Sequence, residues 1–218
     1  AGADLFSLID LPPALSPGEG DDGVWSGSLA FDADGEPVIL YTSVSDPHLA
    51  DGRVRTARPV DAEWIEWRKG GVVAAAPEGH GISAFRDPSV FKDGDVWRMV
   101  VGAGTEDSAA AAVGFTSTDA LRWHPDGVMT SRRSADRDPV WTGSMWECPQ
   151  IIEVDGRHVL IVSVWDDDVL YDVVYALGDY AAGEFRPGTW RTLSFGPAPY
   201  AATAFHDASE APCVMFWL

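Results

Sequence analysis

The chain has 218 residues and 46% of them are hydrophobic, which suffices for one sizeable core or at most two small ones. A formal net charge of −19 makes nucleic acid and anionic membranes unfavourable partners. No stretch reaches the roughly 18 apolar residues of a membrane span. The scattered five histidines and two cysteines favour neither a metal site nor a disulfide framework, so we expect no cofactor.

The opening segment, residues 1–20 (AGADLFSLIDLPPALSPGEG), has neither an initial Met nor the basic and then apolar order of a signal peptide. The last residues, APCVMFWL, stop inside an apolar run that needs a neighbouring strand. We therefore expect a piece of a longer protein, cut at both ends. Its compartment stays open, although few cysteines and no signal segment are compatible with a cytoplasmic bacterial enzyme.

Four similar segments follow one another, at 26–43, 86–104, 147–164 and 202–218. Each begins with a short apolar strand, passes through a polar turn and continues into a longer β-rich run. In the first three the turn is Asp-Gly, a hairpin signal because glycine accepts a positive φ. The spacing of the turns leaves room for four strands per unit, and almost nothing has the pattern of a long amphipathic helix. The repeat predicts an all-β chain built as a β-propeller, with a two-sheet sandwich as the alternative.

The first strand of each propeller blade lines the central channel, so residues that begin these strands share one channel mouth. Counted back from the turn glycines, Ser28 and Asp87 take the same position and Glu147 lies slightly earlier. We therefore predict that these three side chains converge from consecutive blades. Carboxylates from separate blades, in a funnel rimmed by tryptophan, indicate catalysis more often than a structural role.

Several motifs resemble those of glycoside hydrolase family 32, the invertases, inulinases and levanases. FRDPSVF (85–91) resembles the Arg-Asp-Pro block, MWECPQ (145–150) the Glu-Cys-Pro block, and DGVWSGSLAFDADGEPVILYTS (22–43) the block that contains Ser-Gly-Ser. The resemblance covers nearly the whole chain, in the family's order. It implies a five-bladed β-propeller that is incomplete here, with the first blade largely missing and the last one truncated.

The approximate blade boundaries follow from the repeat and the resemblance together. We expect the end of blade one at 1–20, blade two at 21–75, blade three at 80–130, blade four at 140–197 and the start of blade five at 198–218.

The resemblance implies a retaining glycosidase that cleaves β-fructofuranosidic bonds in sucrose or fructans. Glu147 matches the general acid/base, Asp87 the transition-state stabiliser and Arg86 the adjoining substrate-contact residue. The remaining candidates for substrate binding are Trp25 and Ser26, in the block that shapes the fructose pocket, and Trp146 beside the acid/base.

The neighbours of the two acids predict different environments for them. Glu147 lies between Trp146 and the Cys148–Pro149 pair, a dry setting in which the carboxyl could keep a proton near neutral pH. Asp87 follows Arg86, which should favour its ionised form if both side chains point the same way. A retaining glycosidase needs such a difference between its carboxyl groups.

Two departures from the family pattern matter. The family's nucleophile lies in a Trp-Met-Asn-Asp-Pro-Asn-Gly block, which does not occur in this sequence and which we expect upstream of it. Gln150 stands where the family usually has Asp, and we expect this change to alter the network around the acid/base. The family's C-terminal β-sandwich is also missing, so these residues alone are expected to hydrolyse nothing.

Two alternatives stay open. One is a fructosyltransferase on the same scaffold, in which a sugar instead of water resolves the intermediate. The other is a non-catalytic carbohydrate-binding propeller, which the missing nucleophile block and Gln150 would favour. The expected partners are sucrose or a fructan, together with the missing propeller and β-sandwich segments, and no nucleic acid or membrane.

Overall fold

The computed structural model describes residues 9–195 and 198–218. Residues 1–8 of the predicted end of blade one, and 196–197 of predicted blade four, lie outside the described residues. All regular secondary-structure elements within the described ranges are β-strands, which confirms the all-β prediction. That part of the chain contains no helix that is long and apolar enough to span a membrane.

The strands form antiparallel meanders, in which neighbours along the chain are neighbours in the sheet. The first meander comprises β1 (Gly23–Phe31), β2 (Pro37–Ser45), β3 (His48–Pro59) and β4 (Trp67–Ala75). The second comprises β5 (Ile82–Asp93), β6 (Val96–Thr105), β7 (Ala109–Ser117) and β8 (His124–Arg133). The third comprises β9 (Met145–Val154), β10 (Arg157–Asp166), β11 (Val169–Ala181) and β12 (Glu184–Thr192). A hairpin of β13 (Tyr200–His206) and β14 (Pro212–Trp217) follows.

The predicted Asp-Gly turns join the first two strands of each meander. Gly35, Gly94 and Gly156 have φ angles of 82°, 59° and 71°, a region in which other residues are strained. The hairpin prediction is therefore confirmed at all three turns. The number of blades and the blade boundaries stay predictions.

Hydrophobic cores lie where successive units face each other. Met99 and Val101 of β6 pack into the core between the first and second meanders, whereas Val100 packs into the core between the second and third. Because both faces of the second meander are covered, β6 and β7 are apolar almost throughout instead of alternating with polar residues. A third core, which includes Ile161 and Ala202, joins the third meander to the β13–β14 hairpin.

Every first strand carries a β-bulge near its beginning. The bulge follows Trp25 in β1, Arg86 in β5, Glu147 in β9 and Tyr200 in β13. A bulge interrupts the ladder of backbone hydrogen bonds and redirects side chains. At equivalent places in four successive units, the bulges therefore leave residues without a backbone pairing partner on the neighbouring strand.

Two glycines allow these units to approach one another closely. A Cβ atom on Gly52 would lie 2.1 Å from the carbonyl oxygen of Phe85, and one on Gly102 would lie 2.1 Å from that of Trp146. Only glycine fits against main chain at this distance. Each glycine brings the start of the next unit's first strand against the preceding sheet.

Candidate active site

The bulges of the four first strands open into one cavity of about 610 Å³. The residues before the bulges form its inner row, and Trp165 and Asp168 of the third meander contribute to its wall. The row consists of Trp25, Arg86, Glu147 and Tyr200. The following bulge residues, which also line the cavity, are Ser26, Asp87, Cys148 and Ala201. The structure therefore brings together five of the six residues predicted to act in catalysis or substrate binding, all except Trp146.

The Glu147 carboxylate is held between its two neighbours in the row. Arg86 Nε donates to Glu147 Oε1 at 2.8 Å, and Tyr200 Oη donates to Glu147 Oε2 at 2.6 Å. Tyr200 Oη also lies 3.2 Å from the carbonyl oxygen of Val164. Both carboxylate oxygens thus have a defined partner from an adjacent strand.

The guanidinium of Arg86 is enclosed by two tryptophans. Its central carbon lies 5.8 Å from the ring centroid of Trp25 and 5.3 Å from that of Trp165. Both distances are within the range of a cation–π contact. Arg86 is only 8% exposed, so its charge is directed into the site towards Glu147.

Asp87 is the bulge residue of β5. It is buried, and its backbone has a left-handed conformation with a φ of 65°. Its main-chain N–H donates to Thr42 Oγ1 at 2.7 Å, and its Oδ2 accepts from the main-chain N–H of Cys148 at 3.0 Å. Burial, reinforced by the negative charge of Glu147, raises the pKa of Asp87 to about 6. Arg86 favours the ionised form of Asp87, as predicted, but burial and the charge of Glu147 outweigh it, and the direct ion pair of Arg86 is with Glu147.

Trp146 does not line the cavity. It is fully buried in the core between the second and third meanders, where its ring centroid lies 5.2 Å from that of Trp190. Its Nε1 donates to the carbonyl oxygen of Thr142 at 3.0 Å. The apolar surroundings predicted for Glu147 therefore lie behind it, whereas its carboxylate faces polar partners.

Ser28 does not take the place predicted for it. It lines a second cavity, of about 630 Å³, with Asp87 and Cys148 but without Glu147. Ser26 is the residue that corresponds to Asp87 across the first strands. The turns and bulges differ in length between units, so counting back from the turn glycines gave the wrong register.

Tyr200, Trp165 and Thr42 contact predicted residues of the site but were not predicted themselves. Tyr200 begins a Tyr-Ala-Ala tripeptide at the place of Arg86 in Arg-Asp-Pro and Glu147 in Glu-Cys-Pro, so aligning the tripeptides would have identified it. Burial, with the charge of Glu147, raises the pKa of Tyr200, so its hydroxyl keeps its proton and acts as a donor. No sequence signal identifies Thr42, because its contact with Asp87 joins two separate meanders.

Metal-binding side chains do not cluster at this site. Among the described residues, no three His, Cys, Asp or Glu side chains are grouped so that they could hold an ion.

The fold is that of the β-propeller fructofuranosidases. A variant of the Bombyx mori family 32 beta-fructofuranosidase, solved in complex with sucrose, matches with a TM-score of 0.75 and 26% identity, over 91% of this chain and 43% of that one. Residues 1–218 match the family model described as the glycosyl hydrolases family 32 N-terminal domain, and the chain belongs to this family. The resemblance found in the sequence motifs is thereby confirmed.

Curated relatives agree with this assignment. Sucrose-6-phosphate hydrolase of Bacillus subtilis (strain 168) is 33% identical over 219 residues, which cover 94% of this chain and 44% of the relative. Fructan 6-exohydrolase of Beta vulgaris is 30% identical over 204 residues, which cover 81% of this chain and 32% of the relative. The chain therefore spans less than half the length of these relatives.

Proposed function

We propose that this chain supplies the acid/base and transition-state-stabilising groups of a retaining β-fructofuranosidase that hydrolyses sucrose or fructans. The observation that carries the proposal is the pair of carboxyl groups, Glu147 and Asp87, which adjacent first strands bring into one cavity. The names of the relatives, which include sucrose-6-phosphate hydrolase and fructan 6-exohydrolase, support the substrate class.

Glu147 acts as the general acid and then as the general base. Arg86 and Tyr200 both donate to its carboxylate, an arrangement that stabilises the charge left after the proton passes to the leaving oxygen. The same carboxylate then takes a proton from the water that resolves the covalent intermediate.

Asp87 stabilises the transition state. Its Oδ2 accepts from the Cys148 N–H, and its Oδ1, for which the described residues supply no hydrogen-bond donor, would accept hydrogen bonds from hydroxyls of the fructosyl ring. These bonds strengthen as the ring gains oxocarbenium character, because Asp87 carries a negative charge above a pH of about 6. Trp25, Ser26 and Arg86 form the adjoining wall of the fructosyl subsite.

The attacking carboxylate is proposed to come from another part of the protein. A retaining mechanism places it about 5–5.5 Å from the acid/base carboxyl. The family's nucleophile block does not occur in this sequence, and the relatives are more than twice as long as the part matched. We propose that those further parts also include the remaining propeller and a β-sandwich.

We also propose that the meanders correspond to propeller blades, with the boundaries predicted from the sequence. The meanders at 23–75, 82–133 and 145–192 support blades two, three and four. The hairpin at 200–217 supports the start of blade five.

The test is fructose release by the full-length protein from sucrose, sucrose 6-phosphate, inulin and levan, for the wild type and for Glu147→Gln. Glu147→Gln should lose about 10²–10⁴-fold in kcat on these substrates, since general acid catalysis contributes that much. On an aryl β-fructofuranoside whose leaving group needs no protonation, cleavage to the fructosyl-enzyme should remain close to the wild-type rate.

Two results would contradict the proposal. One is no fructose release from any of these substrates by the wild type. The other is an equal loss by Glu147→Gln in the rate of fructosyl-enzyme formation from sucrose and from the activated substrate, measured as release of the leaving group in the first turnover, which would remove Glu147 from the acid role. Nuclear magnetic resonance of the first-formed fructose anomer checks retention of configuration.

A further inference from the structure

Thr42 of β2 lies directly behind the site and is fully buried. Its Oγ1 donates to the carbonyl oxygen of Ser26 at 3.0 Å and accepts from the main-chain N–H of Asp87 at 2.7 Å. Ser26 and Asp87 are the bulge residues of β1 and β5. One hydroxyl therefore connects the bulges of two successive units.

The backbone at Asp87 needs such a partner. A residue before proline favours an extended conformation, yet Asp87 precedes Pro88 and has a φ of 65°. A non-glycine residue in a sparsely populated conformation is strained and persists only where its surroundings hold it. The Cys148 N–H holds the carboxylate end of Asp87, and Thr42 holds its main-chain end.

We propose that Thr42 is a positioning residue, whose hydroxyl fixes the Asp87 carboxylate in the orientation that catalysis requires. The inference rests on the proposed function. Without the hydroxyl, the buried Asp87 N–H loses its acceptor, and the peptide rotates to recover one. Because Asp87 is aimed by its backbone conformation, this rotation moves the carboxylate away from the sugar.

The test compares Thr42→Val with Thr42→Ser in the full-length protein. Valine keeps the shape of threonine without the hydroxyl, whereas serine keeps the hydroxyl. Thr42→Val should lower kcat about 10–100-fold, the scale of a misplaced catalytic group, with KM changed less than about threefold. Thr42→Ser should stay within about threefold of the wild type.

Thr142→Val is the matched control. Thr142 is also fully buried, but its hydroxyl has no hydrogen-bond partner among the described residues. The same chemical change there should leave kcat unchanged. A loss of kcat equal to that of Thr42→Val would show that any buried hydroxyl matters, and would overturn the inference.

A double mutant separates positioning from general damage. If Thr42 acts through Asp87, Thr42→Val should add less than about twofold to the loss caused by Asp87→Asn alone. A full additive loss would overturn the inference, as would a Thr42→Val enzyme with wild-type kcat. Crystal structures of the two variants should show a positive φ at Asp87 in Thr42→Ser but not in Thr42→Val.

The outcomes also separate this inference from the proposed function. If Thr42→Val is as active as the wild type while Asp87→Asn is inactive, the inference fails and the proposed function stands. If the wild type releases no fructose, the proposed function fails, and the φ of Asp87 in the two crystal structures still decides whether Thr42 fixes it. Should Thr42→Val not fold, Thr42→Cys carries the test, and a kcat equal to that of Thr42→Ser would count against the hydroxyl.

Discussion

Asp87 combines two demands at the scale of a single residue. It is buried beside another carboxyl group, which raises its pKa, and yet the proposed chemistry requires its charged form. Because the folded state holds this proton more tightly than the unfolded state, whose value is near 3.8, the protein loses stability as the pH rises from about 4 to about 6. The proposed function is thus opposed to stability at this position.

Asp87→Asn should therefore stabilise the protein while abolishing its activity. Asparagine keeps an oxygen that can accept from the Cys148 N–H but carries no charge at any pH. We expect a gain of about 1–3 kcal/mol at pH 7 that disappears near pH 4, with kcat at least about 100-fold lower. Denaturant unfolding at both pH values measures the first effect. Asp168→Asn, at an exposed carboxylate of the same cavity, should change stability by less than about 0.5 kcal/mol.

Tyr200→Phe tests the second donor to Glu147. The variant keeps the ring and removes only the hydroxyl that bonds Oε2, so we expect kcat to fall about 10–100-fold with little change in folding. Tyr180→Phe makes the same change where the hydroxyl bonds Asp93, away from this cavity, and should keep wild-type kcat. Equal kinetics for the two variants would exclude a catalytic contribution from Tyr200.

Among the secondary-structure elements, the first strand of each meander and of the final hairpin contributes most of the site. In each of the four first strands, backbone pairing continues up to the residue before the bulge. The next residue lies in the bulge, and both line the cavity. The closeness of successive first strands depends on the glycines behind them, because a side chain there would meet a carbonyl oxygen.

Gly102→Ala should consequently damage stability and activity together. The new Cβ would lie 2.1 Å from the carbonyl oxygen of Trp146 and 3.2 Å from that of Arg86, so β9 must move away from β6. We expect a loss of about 2–3 kcal/mol and a large fall in kcat, because Arg86 and Glu147 separate. Gly71→Ala, where a Cβ meets nothing within 4 Å, should leave both unchanged. Urea unfolding and fructose release measure the two effects, and a stable, active Gly102→Ala enzyme would contradict this view.

The sequence predicted the hairpins and the site residues well where a short stretch of neighbouring residues carried the signal. The Asp-Gly turns predicted the hairpins because glycine is needed at a positive φ, and the Arg-Asp-Pro and Glu-Cys-Pro motifs predicted which acids share a cavity. The register of Ser28 failed, because five residues separate the paired strands at the first turn and only two at the second, and the bulges also differ in length. The pairing of Arg86 with Glu147 and the role of Thr42 were missed for a different reason. Both depend on contacts between separate units, which adjacency in sequence does not reveal.

The site belongs to the whole molecule and to no single meander. The first meander contributes Trp25 and Ser26, the second Arg86 and Asp87, and the third Glu147 with Trp165. The hydrophobic cores between the units hold these groups in register, so the cavity exists only while the cores stay packed. The repeat predicted this architecture and the convergence of Asp87 with Glu147, whereas Trp25, Ser26 and Arg86 followed from the motif resemblance.

The bulges suggest how chemistry can vary on such a scaffold. Each functional group sits in a tripeptide, Trp-Ser-Gly, Arg-Asp-Pro, Glu-Cys-Pro or Tyr-Ala-Ala, at a point where the backbone ladder is already interrupted. We expect that replacing one tripeptide changes the reacting groups and leaves the strand pairing before and after it intact. Combinatorial libraries confined to these four tripeptides are therefore a direct way to search for new specificities.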